Sequence, residues 1–106
     1  MGFYLFRASY TQKGLEGVMR EGGTARSEVI EALAASTGGR VVCQFWAFGA
    51  DDYILVAELP DNVTAASLAS TVSVTGTVSV TTTVLLTAAE IDEAVSRHPT
   101  YRAPGA

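Results

Sequence analysis

The stretch FGADDYILVAELPD, residues 48–61, decides the fold that this sequence predicts. A short polar segment with two adjacent acids, Asp51 and Asp52, leads directly into an apolar run that ends at Pro60. A link this short joins antiparallel neighbours, because parallel strands need a long crossover connection. Proline ends the run because it has no amide hydrogen to donate to a neighbouring strand. The stretch therefore predicts a tight hairpin followed by a strand over residues 52–59.

Strands and helices alternate on both sides of this hairpin. Alternating and β-branched residues predict the strands, and apolar residues at helical spacing predict the helices. In chain order, we expect a strand at 3–10, a short helix at 12–20, a helix at 24–37, strands at 40–48 and 52–59, a helix at 62–74, a strand at 77–86 and a helix at 88–97. Two right-handed β-α-β units around a hairpin form a ferredoxin-like α+β sandwich.

The predicted fold is a four-stranded antiparallel sheet in the order 4-1-3-2, with helices on one face and an additional C-terminal helix. Residues 1–97 are expected to form a single domain, and residues 98–106 a flexible C-terminal tail. Asp61 or Asn62 is expected to cap the helix at 62–74.

The composition excludes several classes of protein. The chain has 106 residues, of which 48% are hydrophobic and 17% charged, with a net charge of −4. Lys13 is its single lysine, so the clustered cations that phosphate contacts require are absent and a nucleic-acid partner is not expected. The apolar start is too short, and too interrupted by Arg7, for a signal peptide or a membrane span. The single cysteine fits a reducing compartment. We therefore expect a cytoplasmic protein without a membrane partner.

Side chains alternate between the two faces of a strand, and this alternation predicts which residues lie under the helices. We call the face that points away from the helices the open face. The residues expected there are Leu5, Arg7, Gln44, Trp46, Phe48, Ile54, Val56, Glu58 and the threonines of the last strand. Arg7 and Glu58 are on neighbouring strands and are expected to pair.

This face is too apolar to remain in contact with water, and two interpretations fit it. In the first, two sheets pack back to back in a homodimer or a larger homo-oligomer, and Arg7–Glu58 is an interface ion pair. In the second, the polar groups line a pocket for an apolar or aromatic small molecule, with Trp46 as its wall. The two interpretations are compatible. The candidate ligand-binding residues are Arg7, Tyr10, Gln44, Trp46, Asp52 and Glu58.

Other reactive residues have simpler interpretations. Asp51 and Asp52 fit a metal pair or an acid–base couple, but acids in a tight hairpin more often accept hydrogen bonds from turn amides. His98 is the single histidine, so no metal is expected. The predicted alternation places Cys43 beneath the helices, as an inert buried thiol. No phosphate-binding loop or dinucleotide motif occurs, and no cofactor is expected.

Three stretches together resemble the GYD domain family of small bacterial proteins. They are ASYTQKGLEGV at 8–18, ALAASTGGRV at 32–41 and FWAFGADDYILVAELPD at 45–61. In this chain Asp51 stands where the family's tyrosine would fall. The resemblance implies the ferredoxin-like fold, of the dimeric α/β-barrel type, and self-association through the sheet. It supplies no catalytic residues.

The sequence thus predicts a small self-associating protein that binds an apolar or aromatic molecule at the open face. The alternative is a cofactor-independent enzyme, such as a monooxygenase, cyclase or isomerase of the dimeric α/β-barrel type. A second alternative is a purely structural or regulatory assembly module.

Overall fold

The computed structural model describes residues 1–106 and contains a four-stranded antiparallel sheet. Its elements are β1 (Gly2–Tyr10), α1 (Gln12–Glu21), α2 (Gly23–Ser36), β2 (Arg40–Trp46), β3 (Tyr53–Leu59), α3 (Asn62–Ser73), β4 (Val78–Leu85) and α4 (Ala88–Ser96). The strand order β2-β3-β1-β4 is the predicted order 4-1-3-2 counted from the other edge. The predicted α+β fold is therefore confirmed, and each element boundary lies within two residues of its predicted position.

Polar side chains at the helix starts explain why the helices begin where they do. Asp61 accepts a hydrogen bond from the Thr64 amide at 2.8 Å, as predicted for the cap of α3. Thr87 and Glu90 form a reciprocal capping box at the start of α4. The predicted break in the long helical segment is also present, because Gly22 separates α1 from α2. None of the helices is long and apolar enough to cross a lipid bilayer.

The core lies between the sheet and helices α2 and α3. Burial alternates strictly along β3, and the central strand β1 repeats this pattern, so the predicted faces of these two strands are confirmed. The buried cluster consists of Tyr4, Phe6, Ala8, Tyr53, Leu55, Ala57, Leu59, Ala65, Leu68 and Val78. Ile30 and Leu33 of α2 pack against it. The two helices therefore cover one face of the sheet and leave the other without a cover.

Helix α4 packs against little of its own chain. Every residue of α4 is exposed, including Ile91 at 46% and Val95 at 67%. The radius of gyration is 17.0 Å, compared with about 13 Å for a compact chain of this length. The molecule is accordingly elongated, with extents of 57 × 33 × 23 Å. The domain boundary at residue 97 stays a prediction.

Candidate functional site

A β-bulge in β2 determines which of its side chains face the helices. The register against β3 shifts by one residue between Val41 and Cys43. Beyond this shift, Gln44 and Trp46 lie on the helix-covered face, where Trp46 is opposite the buried Tyr53. An extra residue in one strand reverses the alternation that follows it. The prediction that Gln44 and Trp46 face away from the helices, with Cys43 beneath them, is therefore wrong.

A cavity of about 70 Å³ lies between the helix-covered face of the sheet and helices α2 and α3. It is open to solvent on one side. Fourteen of its fifteen lining residues are hydrophobic, and Arg26 is the exception. The lining residues are Phe6, Ala8, Tyr10, Arg26, Ile30, Leu33, Ala34, Tyr53, Leu55, Ala57, Leu68, Ala69, Val72, Val78 and Val80. A mostly hydrophobic lining with few polar groups is usual for a small-molecule site.

Arg26 is the only charged residue in this lining. Its side chain is 27% exposed, so it lies where the cavity meets solvent. Its nearest carboxylate is that of Glu21, at 3.6 Å from the guanidinium, and the Glu21 side chain is itself 51% exposed. A charge-assisted hydrogen bond from nitrogen to a carboxylate oxygen is about 2.7–2.9 Å long, so the Arg26–Glu21 separation is longer than such a bond. The guanidinium therefore retains donors that can reach a ligand.

A hydrogen-bonded chain crosses one wall of the cavity. The Tyr53 hydroxyl donates to Gln44 Oε1 and lies 3.0 Å from the Ser27 hydroxyl. Gln44 Nε2 in turn donates to Glu31 Oε1 at 2.7 Å. Burial raises the pKa of the Tyr53 phenol, although the hydrogen bond from Ser27 opposes the shift. Tyr53 is therefore a neutral donor at physiological pH, and this chain joins β2 and β3 to α2.

Three aromatic rings form the end of the same wall. The Trp46 ring stacks on Tyr10, with centroids 5.9 Å apart, and meets Tyr53 edge-on at 4.8 Å. Trp46 itself is 39% exposed. A Cβ atom at Gly23 would lie 2.8 Å from Trp46 Nε1, so the first turn of α2 approaches the indole closely only because Gly23 has no side chain. Trp46 is thus in direct contact with two residues that line the cavity.

The two acids of the hairpin differ in role. The Asp52 carboxylate accepts a hydrogen bond from the Tyr10 amide at 2.8 Å, and the Asp52 amide donates to the Ala8 carbonyl oxygen at the same distance. Asp52 thus fastens the start of β3 to the end of β1. The Asp51 carboxylate makes no hydrogen bond. The prediction that both acids accept from turn amides is wrong, because the Asp52 partner belongs to the neighbouring strand.

The open face of the sheet carries apolar and polar side chains on both its central and its edge strands. Its side chains come from Phe3, Leu5, Arg7, Arg40, Cys43, Phe45, Ile54, Val56, Glu58, Thr81, Thr83 and Leu85. Phe45 exposes 70% of its surface, and Cys43 is exposed rather than buried as predicted. No element of this chain packs against this face.

The predicted ion pair between Arg7 and Glu58 is absent. Glu58 is opposite Phe3 in the register, whereas Arg7 is opposite Ile54, four residues before Glu58 in β3. Glu58 pairs instead with Arg40 of β2, with 3.0 Å between Arg40 Nε and Glu58 Oε1. The prediction is wrong because strand adjacency alone does not fix the register of two particular side chains.

The six predicted ligand-binding residues therefore divide between the two faces and the end of the sheet. Tyr10, Gln44 and Trp46 gather at the cavity or its wall. Arg7 and Glu58 are on the open face. Asp52, at the end of the sheet, forms hydrogen bonds to the backbone of two lining residues, Tyr10 and Ala8.

Sequence reasoning missed the contribution of α2 to the site. Arg26 lines the cavity, and Ser27 and Glu31 belong to the hydrogen-bonded chain. A signal for Arg26 exists, because it continues the helical stripe of Ile30 and Leu33 by one turn toward the N-terminus. A charged residue on the covered stripe of a helix is unusual and marks a position to inspect.

Metal chemistry has no support in the geometry. No three histidine, cysteine, aspartate or glutamate side chains gather closely enough to hold an ion. His98 is exposed beyond the end of α4.

The GYD domain family model matches residues 4–95 of the 106-residue chain. The chain belongs to the GYD domain family. No curated protein and no solved structure matches the sequence. The matched span includes β1 from its third residue onward, the other three strands in full and all of the residues that line the cavity.

One stretch of the GYD resemblance has a structural explanation. The Thr11 amide and hydroxyl donate to the carbonyl oxygens of Thr77 and Gly76, both at 2.9 Å. Thr11 also caps α1 by accepting from the Gly14 amide at 3.3 Å. A Cβ atom at Gly14 would lie 1.9 Å from the Thr77 carbonyl oxygen, so this position requires glycine. Thr11 and Gly14 therefore join the corner between β1 and α1 to the residues that precede β4.

Proposed function

We propose that this GYD-family chain is a self-associating binding protein whose two sheet faces have separate tasks. The open face associates with a further copy of the chain. The helix-covered face binds an apolar or aromatic small molecule in the cavity beneath α2 and α3. The observation that carries this proposal is the cavity, whose lining is hydrophobic in fourteen of fifteen positions and includes one cation.

The position of the aromatic residues favours the cavity over the open face as the ligand site. The sequence alone predicts Trp46 and Gln44 on the open face, whereas the bulge in β2 places both on the helix-covered face. The open face retains no tryptophan or tyrosine and has no concavity between its side chains and a helix. A ligand gains more from an enclosed apolar site, because more of its surface leaves water.

Two features support self-association. The open face presents apolar side chains that include Phe45, at 70% exposure on the edge strand β2, and large exposed apolar patches usually mark interfaces. Helix α4 is the second feature. A helix of nine residues is marginal in water without tertiary contacts, and α4 has an exposed stripe of Ile91 and Val95. A second copy supplies a surface for both features.

The titratable groups of the lining favour binding over proton transfer. They are Arg26, Tyr10 and Tyr53, and burial keeps the Tyr53 phenol protonated at neutral pH. General acid–base catalysis works best with a group whose pKa lies near the working pH. The lining therefore supports orientation of a ligand.

Ligand binding can be tested with Trp46 as the reporter, because it is the single tryptophan and contacts Tyr10 and Tyr53 of the lining. The probe is the neutral aromatic alcohol 3-phenyl-1-propanol. We expect a saturable change in Trp46 emission. Ala69→Leu, which extends a side chain into the cavity, should abolish it. Ala66→Leu makes the same change at an exposed position of the same helix and should leave binding intact. Equal binding by both variants would refute the cavity as the site.

Self-association can be tested by sedimentation velocity across a dilution series. We expect a species heavier than the 11.1 kDa chain at micromolar concentration. A single species of chain mass throughout the series would refute this part of the proposal.

A further inference from the structure

We infer that the ligand of the cavity has an anionic end group, held by Arg26 at the cavity mouth. This inference rests on the proposed function, since it names the ligand class of the same site. The ligand would be an alkyl or aryl carboxylic acid, or an acid of similar shape, with its apolar body in the cavity and its carboxylate at the guanidinium.

The first argument is the unused hydrogen-bonding capacity of Arg26. A guanidinium has five N–H donors, and it is at its strongest when two of them bind one carboxylate. The Arg26 side chain makes no hydrogen bond within the chain, and its one ion pair, to Glu21, is stretched to 3.6 Å. A ligand carboxylate would therefore add hydrogen bonds without breaking any that Arg26 already makes.

The second argument is the position of the cation relative to the apolar space. The remaining fourteen lining residues are hydrophobic, so the interior accepts only apolar groups. Arg26 is partly exposed, at 27% of its side chain, and lies at the rim. This division suits an amphiphilic ligand that keeps its charge at the entrance. The cavity volume of about 70 Å³ limits the buried part to a short chain or part of a ring.

The third argument is that the other polar group nearby is already occupied. The Tyr53 hydroxyl contacts both Gln44 and Ser27. Tyr10 lines the cavity, and its hydroxyl makes no hydrogen bond within the chain. The Tyr10 hydroxyl can donate or accept, whereas the Arg26 guanidinium only donates. Arg26 is therefore the lining group that selects an acceptor, and a carboxylate is the strongest common acceptor.

The experiment uses three probes of equal size that differ only in their end group: 3-phenylpropanoate, 3-phenyl-1-propanol and 3-phenylpropylamine at pH 7. The full-length protein is titrated with each probe, and dissociation constants are measured by Trp46 fluorescence and calorimetry. We expect 3-phenylpropanoate to bind at least roughly tenfold more tightly than the alcohol, because a hydrogen bond to a charged group exceeds a neutral one. The amine should bind more weakly than both.

Variants of Arg26 complete the test. Arg26→Met should remove the preference for the acid, so that the acid and the alcohol bind this variant with affinities within about twofold of each other. Arg26→Lys keeps the charge without the planar pair of donors and should give an intermediate preference. Arg20→Met removes a cation from the exposed surface of α1 and should change nothing. If Arg26→Met fails to fold, the order of the three probe affinities in the wild type and the result for Arg26→Lys still test the inference.

Equal wild-type affinity for the acid and the alcohol would overturn the inference and leave the proposed binding function standing. A preference for the acid that survives in Arg26→Met would also overturn it, because the charge would then be recognised elsewhere. Binding of none of the probes would overturn the inference together with the cavity as a ligand site.

Discussion

Replacing Phe45 by alanine should weaken self-association without weakening the fold. Phe45 lies on β2 at the open face and exposes 70% of its surface, so it contributes little to the core of its own chain. A surface substitution of this kind usually changes the free energy of unfolding by less than about 0.5 kcal/mol. An interface at this face, in contrast, would bury the ring.

The expected effect on assembly follows from the exposed fraction. Complete burial of a phenylalanine side chain is worth about 1.5–3 kcal/mol. Seven-tenths of that range is about 1–2 kcal/mol for each Phe45. A symmetric pair loses two such contributions, or about 2–4 kcal/mol in total. Since about 1.4 kcal/mol is a factor of ten, the dissociation constant should rise roughly 30- to 700-fold.

Sedimentation velocity over a dilution series measures this change, and thermal unfolding checks the fold. Met19→Ala is the matched control, because Met19 is 79% exposed on α1 and the side chains of the open face all come from the strands. We expect unchanged assembly in the control. An unaltered dissociation constant in Phe45→Ala, or an equal loss in both variants, would refute the assignment of the interface to the open face.

Three further predictions follow from the hydrogen bonds and charges. Tyr53→Phe should cost about 0.5–1.5 kcal/mol in urea unfolding, because the part-buried Gln44 loses the hydrogen bond that Tyr53 donates to it. Burial raises the pKa of Tyr53, so its stabilising contribution is complete below the ordinary value of 10.0 and is lost as pH rises through the folded-state pKa. The wild type should therefore lose stability above pH 10 more steeply than Tyr53→Phe. Glu58→Ala and Arg7→Ala should have additive effects on stability, whereas a double-mutant cycle of Glu58 with Arg40 should give a coupling of at most about 1 kcal/mol, as for exposed pairs; coupling between Arg7 and Glu58 would contradict the register. The capping hydrogen bonds lower the pKa of Asp61, so its contribution is complete above the ordinary value of 3.8 and is lost as pH falls through the folded-state pKa. Asp61→Ala should remove that part of the acid dependence, and an unchanged slope in urea midpoints against pH would contradict it.

The fold was predictable because its signals are local and agree with one another. The hairpin at 48–61, the cap at Asp61 and the alternation along β3 each depend on residues near in sequence. Together they leave one arrangement for the four strands, and the structure has that arrangement. The side of the sheet that the helices cover also followed correctly for the two central strands, where no irregularity interrupts the alternation.

The site was less predictable because it depends on register and on one inserted residue. The bulge between Val41 and Cys43 has no glycine or proline to mark it, and it exchanges the faces of every later side chain in β2. Because of that one shift, Gln44 and Trp46 lie on the helix-covered face beside the cavity and not on the open face. The misplaced pair of Arg7 and Glu58 has a different origin, since the order of strands does not give the offset between β1 and β3.

The cavity depends on a contact between elements that are distant in sequence. Arg26 of α2 and Val72 of α3 line the same space without any local pattern that links them. Helix packing decides whether two stripes meet closely or leave a gap, and the gap is visible only in three dimensions.

Native mass spectrometry of the full chain with 3-phenylpropanoate tests the central claim most directly, because it reports assembly and ligand occupancy together. If the two faces have separate tasks, the spectrum should show an assembly whose mass is a multiple of the 11.1 kDa chain mass. This assembly should carry up to one bound probe molecule per chain. Ala69→Leu should keep the assembly and lose the probe, whereas Phe45→Ala should shift the protein toward single chains that still bind it. A protein of single-chain mass, or an assembly whose probe is lost with Phe45→Ala and kept with Ala69→Leu, would contradict the division of tasks between the two faces.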